Sequence, residues 1–162
     1  MSAPRAVLIG IGNSYRCDDG IGPALVAAIE PVVPAGVTIA VSDGEPSQLL
    51  DAWAGAPLAV LVDAVLCDTP VPGRIHRTVL DWTVPGTPAG SAPTGAASTH
   101  GLGVPDAIRL ARALDRAPRR LVVMAVEAGT IDFGTCLSPP VAACLPALTA
   151  MVLAELTTAY QA

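Results

Sequence analysis

Short, wholly apolar runs recur along this chain, separated by polar or amphipathic stretches. Val7 to Ile11 is closed by glycines and reads as a buried strand. Ala24 to Glu30 has helical character and is stopped by Pro31 and Pro34. Val37 to Val41 gives a second strand, Gln48 to Trp53 a short helix, and Leu58 to Val62 a third strand with no polar residue. Gly73 to Val79 alternates imperfectly and carries Arg74, His76 and Arg77, the pattern of an exposed edge strand. Pro85 to Ala97 is rich in Pro, Gly, Ser and Thr, which predicts a mobile loop. Leu102 to Leu114 reads as a helix with Pro105 in its first turn, where proline is tolerated. Leu121 to Val126 is a fifth strand, and a closing helix starts at about Pro140. No internal repeat is visible.

Apolar strands that alternate with helices imply an α/β domain whose mainly parallel sheet is covered on both faces, a three-layer α/β/α arrangement. Ligands of such sheets bind beyond the carboxyl ends of the strands. In this chain that rim collects carboxylates. Asp18 and Asp19 follow the first strand, Asp43 the second and Glu127 the fifth, while Asp63 ends the third directly after LAVLV.

Composition narrows the class. The 162 residues suit one domain, 1–162, and 52% hydrophobic content argues against disorder. Aromatics are only 3%, so the core must be aliphatic. All nine basic residues are arginines against fourteen acids, and a net charge of -5 excludes the basic face that nucleic acid requires. Arg109, Arg112, Arg116, Arg119 and Arg120 fit the solvated face and end of a helix. The N-terminal apolar run is too short for a secretory signal. The stretch Val141–Leu156 is short for a membrane span and carries Pro146 and Glu155, so a buried helix is expected. We expect a cytoplasmic protein with no membrane association. Its four cysteines (Cys17, Cys67, Cys136, Cys144) show no CxxC pairing and are expected to be reduced. Cys17, beside two acids, is a poor nucleophile candidate.

Several chemistries can be set aside. Gly10-Ile11-Gly12-Asn13 begins like a dinucleotide fingerprint, but Tyr15 replaces the third glycine, and Asp18 and Asp19 would repel a pyrophosphate. With no lysine there is no Walker loop, and neither GxSxG nor HExxH occurs. The carboxylates and one histidine remain. An aspartate closing an apolar strand is costly unless answered by a cation, a cradle of donors or a metal. For Asp63 the alternative role is capping a following turn. For Asp18 and Asp19 it is capping the first helix, one of the pair capping while the other points into the cleft. For His100 and His76 the alternative is an exposed surface position. Two carboxylates and an imidazole would leave open positions on a divalent ion, as catalysis requires.

Five stretches, in order, resemble the hydrogenase maturation endopeptidases. They are Gly10–Asn13 through Asp18-Asp19-Gly20-Ile21-Gly22, then Asp43-Gly44, Leu61-Val62-Asp63-Ala64, Ser98-Thr99-His100-Gly101-Leu102-Gly103, and Val126-Glu127 with Leu137-Ser138-Pro139. The similarity runs over nearly the whole chain. It implies a five-stranded twisted sheet with one antiparallel strand, at about residues 73–79. It implies metal binding by Asp19, Asp63 and His100, a functional role for Asp43, and a cleft wall including Asn13 and Gly44. The family trims a C-terminal extension from the large subunit of nickel–iron hydrogenases after nickel insertion. The resemblance therefore implies a hydrogenase large-subunit precursor as partner and nickel supplied by that substrate, with no organic cofactor. A monomer is expected, with a dimer as the alternative. Pro23, Glu45-Pro46, Gly101 and Ala128 depart from the family pattern and point to a divergent subgroup. The expected chemistry is metal-assisted peptide hydrolysis, with Asp43 or Asp18 as general base. Two rivals are a non-catalytic nickel-binding checkpoint or chaperone, and a hydrolase of small amides or esters.

Overall fold

The computed structural model describes residues 4–85, 96–98 and 103–159. The strands are β1 (Ala6–Ile11), β2 (Val37–Ser42), β3 (Leu58–Cys67), β4 (Ile75–Asp81), β5 (Ala96–Ser98) and β6 (Arg120–Glu127). The helices are α1 (Ile21–Ile29), α2 (Pro46–Trp53), α3 (Gly103–Ala113) and α4 (Pro139–Thr158), and a 3₁₀ turn at Cys17–Gly20 leads into α1. The main sheet runs in the order β2-β1-β3-β6-β4, parallel except for β4, which is antiparallel to β6 at the edge. The short β5 pairs antiparallel with β3 off this path. This is the expected α/β fold, with the edge strand at Ile75–Asp81 close to its anticipated place.

Two differences from the sequence expectation bear on function. Ala96 and Ala97, expected in a loop, belong to β5, while residues 86–95 of that loop lie outside the described residues. The second difference is that β3 does not stop at Val62. It continues through Asp63 to Cys67, because β6 keeps pairing with it as far as Val65↔Glu127. A strand can run on past a buried charge when its neighbours satisfy its backbone.

Each face of the sheet packs its own pair of helices. Leu8, Val60, Val62, Met124 and Val126 join α1 and α4 on one side. Ile9, Leu61, Leu80 and Leu121 join α2 and α3 on the other. The parity of the strands sets these memberships, since alternate residues face opposite ways. At 20 residues, α4 is longer than expected and, by length and composition, could cross a membrane. In this fold its Val141, Leu148, Val152 and Leu156 are fully buried against the sheet. Glu155 on the same helix receives Arg77 at 2.5 Å and Arg120 at 3.4 Å. Arg109, Arg112, Arg116 and Arg119 are exposed, as the helix-face reading expects, whereas Arg120 opens β6 and is half-buried.

β1 and α1 meet backbone to backbone through glycine. A Cβ on Gly22 would come within 2.3 Å of the Ile11 carbonyl oxygen and 2.5 Å of its nitrogen. Main-chain atoms of a central strand cannot retreat, so a methyl here must push the helix off the sheet. Gly22→Ala should lower unfolding stability by about 1–3 kcal/mol, measured by urea denaturation, whereas a loss below a few tenths would mean the helix shifts freely.

Candidate active site

β1, β2, β3 and β6 are parallel, so their carboxyl ends share one rim. The ladder between β1 and β3 ends at Gly10↔Val62, and β5 joins β3 only from Val65 onward. Asp63 thus stands between the end of the β1 ladder and the start of the β5 ladder. It keeps β6 on its other side through the pairing with Ala125, and it is 2% exposed. Its parity places it with Leu61 on the α2/α3 face.

Asp19 reaches the same rim from the end of β1. Beyond Ile11 the chain passes Gly12, at φ +144°, where a Cβ would lie 1.9 Å from the Asp19 carbonyl oxygen. Only glycine lets the turn fold back this tightly. The return brings the fully buried Asp19 carboxylate to the Asn13 N–H, which donates to Oδ2 at 3.0 Å. The 3₁₀ turn that carries Asp19 packs against β3.

Asp18 does something different. Its carboxylate accepts from the Gly129, Thr130 and Ser138 N–H groups at 2.8, 3.0 and 2.6 Å, and from the Ser138 hydroxyl at 2.8 Å. It is a brace for the segment 129–138. Neither aspartate caps α1, whose N-cap is Gly20 with no side-chain bond. Both the helix-capping expectation and the assignment of Asp18 as a general base are therefore corrected, because four donors already occupy its two oxygens.

Asp43 follows β2 and is exposed, and its Oδ1 accepts the Glu45 N–H at 3.0 Å. Gly44, at φ +88°, completes the turn, and Glu45 caps α2 by accepting the Gln48 N–H at 3.1 Å. The Ser47 hydroxyl, hydrogen-bonded to Glu45, holds that carboxyl below its ordinary value. His100 lies outside the described residues. Ser98, two residues before it in the chain, pairs with Val65, two residues beyond Asp63. Among the described residues no three His, Cys, Asp or Glu side chains converge on a common ion position. Asp19 and Asp63 are hard oxygen donors suited in kind to a divalent ion.

No family model matches the chain. It is 27% identical over 154 residues to the hydrogenase 2 maturation protease of Escherichia coli (strain K12), covering 94% of this chain and 90% of that one. Its fold superposes on the hydrogenase maturating endopeptidase HybD from E. coli with a TM-score of 0.77 at 25% identity, over 95% of this chain and 93% of that one. Over nearly its whole length the chain is similar, in sequence and in fold, to hydrogenase maturation endopeptidases. In fold it also matches the [NiFe] hydrogenase maturation protease HybD from Thermococcus kodakarensis, with a TM-score of 0.69 at 23% identity, over 91% of this chain and 96% of that one.

The rim holds one more buried acid. Glu127, at the end of β6, is 2% exposed and accepts the Val71 N–H at 2.6 Å, with His76 Nε2 at 2.7 Å and Arg74 at 3.6 Å. The Val71 N–H, then the His76 contact, hold its carboxyl below the ordinary value of 4.5 against the opposing effect of burial. The sequence reading placed Glu127 at the rim but left His76 as an exposed edge residue. The missed signal was parity: His76 is four residues from the buried Leu80 and so shares its inward face.

Two outcomes follow for these acids. Asp18→Ala should leave the fold intact but raise amide exchange selectively across residues 129–138, and uniform exchange across the chain would contradict the brace. For Glu127 the folded-state pKa is depressed, so its stabilising contribution is complete above pH 4.5 and is lost as pH falls through the lower folded-state value. The stability gap between wild type and Glu127→Gln should be widest near neutrality and close in acid; a pH-independent gap would refute this assignment.

Proposed function

We propose that this protein is an endopeptidase that acts in the cytoplasm to remove a C-terminal extension from the nickel-loaded large subunit of a nickel–iron hydrogenase. The observation that carries the proposal is the pair of buried carboxylates, Asp19 and Asp63, delivered to one rim by adjacent parallel strands. It is supported by relatives named as hydrogenase maturation proteases. With His100 these residues form a partial donor set, suited to an ion that arrives with remaining ligands from the precursor. When engaged, such an ion polarises a scissile carbonyl or acidifies a bound water.

The chain's own part is recognition, positioning and proton handling. Asp19 is held by the turn at Asn13 and Asp63 by the pairing of its strand with β6, so the precursor meets a preorganised pair rather than two loose side chains. Asp43, exposed at the β2 end, takes the proton of the attacking water. The brace at Asp18 fixes the loop 129–138 that backs this rim.

The test is incubation of the purified protein with nickel-loaded large-subunit precursor, read by intact mass. Loss of a short C-terminal peptide is expected, abolished by Asp63→Asn and by His100→Ala, with circular dichroism of the histidine variant unchanged. A stable complex with no mass loss would instead indicate a checkpoint, and an unfolded His100→Ala variant would remove that residue from the site.

A further inference from the structure

The two edges of the main sheet are built differently. At one edge β4 carries His76, Arg77 and Asp81, and charges of this kind discourage a further strand from pairing there. At the other edge β2 reads Val37-Thr38-Ile39-Ala40-Val41-Ser42, with no charge, proline or glycine. Its register with β1 runs unbroken from Ala6↔Val37 to Ile11↔Ser42, so no bulge turns it away from a newcomer.

Alternation fixes which backbone groups of β2 are free. The Gly12 N–H donates to the Ser42 carbonyl at 2.9 Å, which sets the main-chain groups of Thr38, Ala40 and Ser42 towards β1. Those of Ile39 and Val41 point outward, and among the described residues nothing hydrogen-bonds them. Val41 is 54% exposed and stands just before the rim. An outward row of N–H and C=O groups fits one chemistry, the backbone of an extended peptide.

We propose that β2 is a docking edge, on which an extended segment of the large-subunit precursor adds as an outer strand. The inference rests on the peptidase reading above. The edge leads into the rim: Asp43 follows β2 directly, and β1 and β3, which deliver Asp19 and Asp63, come next in the sheet. An added strand stands three strand spacings from β3, about 14 Å, a distance that about four extended residues cover. The docking segment and the scissile bond are therefore separate parts of the precursor, at least that far apart in sequence. An apolar side chain fits beside Val41, and a basic one beside the exposed Asp43 and Glu45. So short a ladder suits a chain gripped a second time at Asp19 and Asp63, because tethering raises its effective concentration. It is slight for joining two copies of this protein, each with a net charge of -5.

The test is pulsed amide exchange on the wild-type protein saturated with nickel-loaded precursor, compared with the protein alone. The Ile39 and Val41 amides should slow by about tenfold or more. Those of Thr38 and Ala40, bonded to β1 in both states, should not change. That alternation separates strand pairing from plain shielding of the surface. Kinetics supply a second readout. Val41→Pro removes an outward donor where an edge tolerates proline, and should raise KM for the precursor about fivefold to tenfold with kcat kept. Val41→Thr keeps the donor and should hold KM within about twofold of wild type. If Val41→Pro does not fold, the exchange pattern decides alone. Cleavage without added protection at Ile39 and Val41, or with KM unmoved in a folded Val41→Pro, would overturn the docking edge and leave the peptidase reading intact. Protection already present in the protein alone, rising with its concentration, would overturn it in favour of a second copy. Neither cleavage nor binding by wild type would overturn the substrate reading, and this inference with it.

Discussion

The fold turns on how ionised carboxylates are kept at the end of an aliphatic sheet. A carboxylate taken from water without compensation is far more costly than any single packing contact can offset. Here the compensation comes mainly from main-chain N–H groups. Asn13 answers Asp19, Gly129, Thr130 and Ser138 answer Asp18, and Val71 answers Glu127. Each donor belongs to a turn that must be shaped to aim it, and each turn in turn fixes a stretch of rim. The glycine at position 12, the tight return after β1 and the ordered passage from β6 to α4 are all consequences of the same requirement.

That requirement also explains what the sequence disclosed and what it concealed. Apolar runs such as Leu58–Val62 report burial on both faces, so strands, layers and the carboxyl-end rim were legible. So was the placing of four strand ends that each bring an acid. The length of β3 was not, because its extension depends on pairing with β6 rather than on the composition of Asp63–Cys67. The role of Asp18 was hidden for a similar reason: its donors lie more than a hundred residues away. Two adjacent aspartates look equivalent in the chain, yet one is consumed by loop structure and the other faces a neighbouring strand. The motif resemblance pointed to a family and to an order of candidate site residues. It carried no information on His76, whose partner is set by strand register alone.

The position of Asp63 shows how a parallel sheet makes a site without a dedicated loop. The β1 ladder ends at Val62, the β5 ladder begins at Val65, and β6 pairs with the two residues in between. Rigid strands therefore fix the position of the acid at the point where one neighbouring ladder gives way to another. Function placed on such an element inherits the precision of the core beneath it.

The long reach of Asp18 has a consequence for the birth of the protein. Its donors, residues 129–138, emerge from a ribosome only after more than a hundred further residues have been joined. Until then the turn bearing Asp19 lacks the contacts that hold it, and closing so large a loop is slow. A nascent chain thus carries its first strands well before it carries a braced rim.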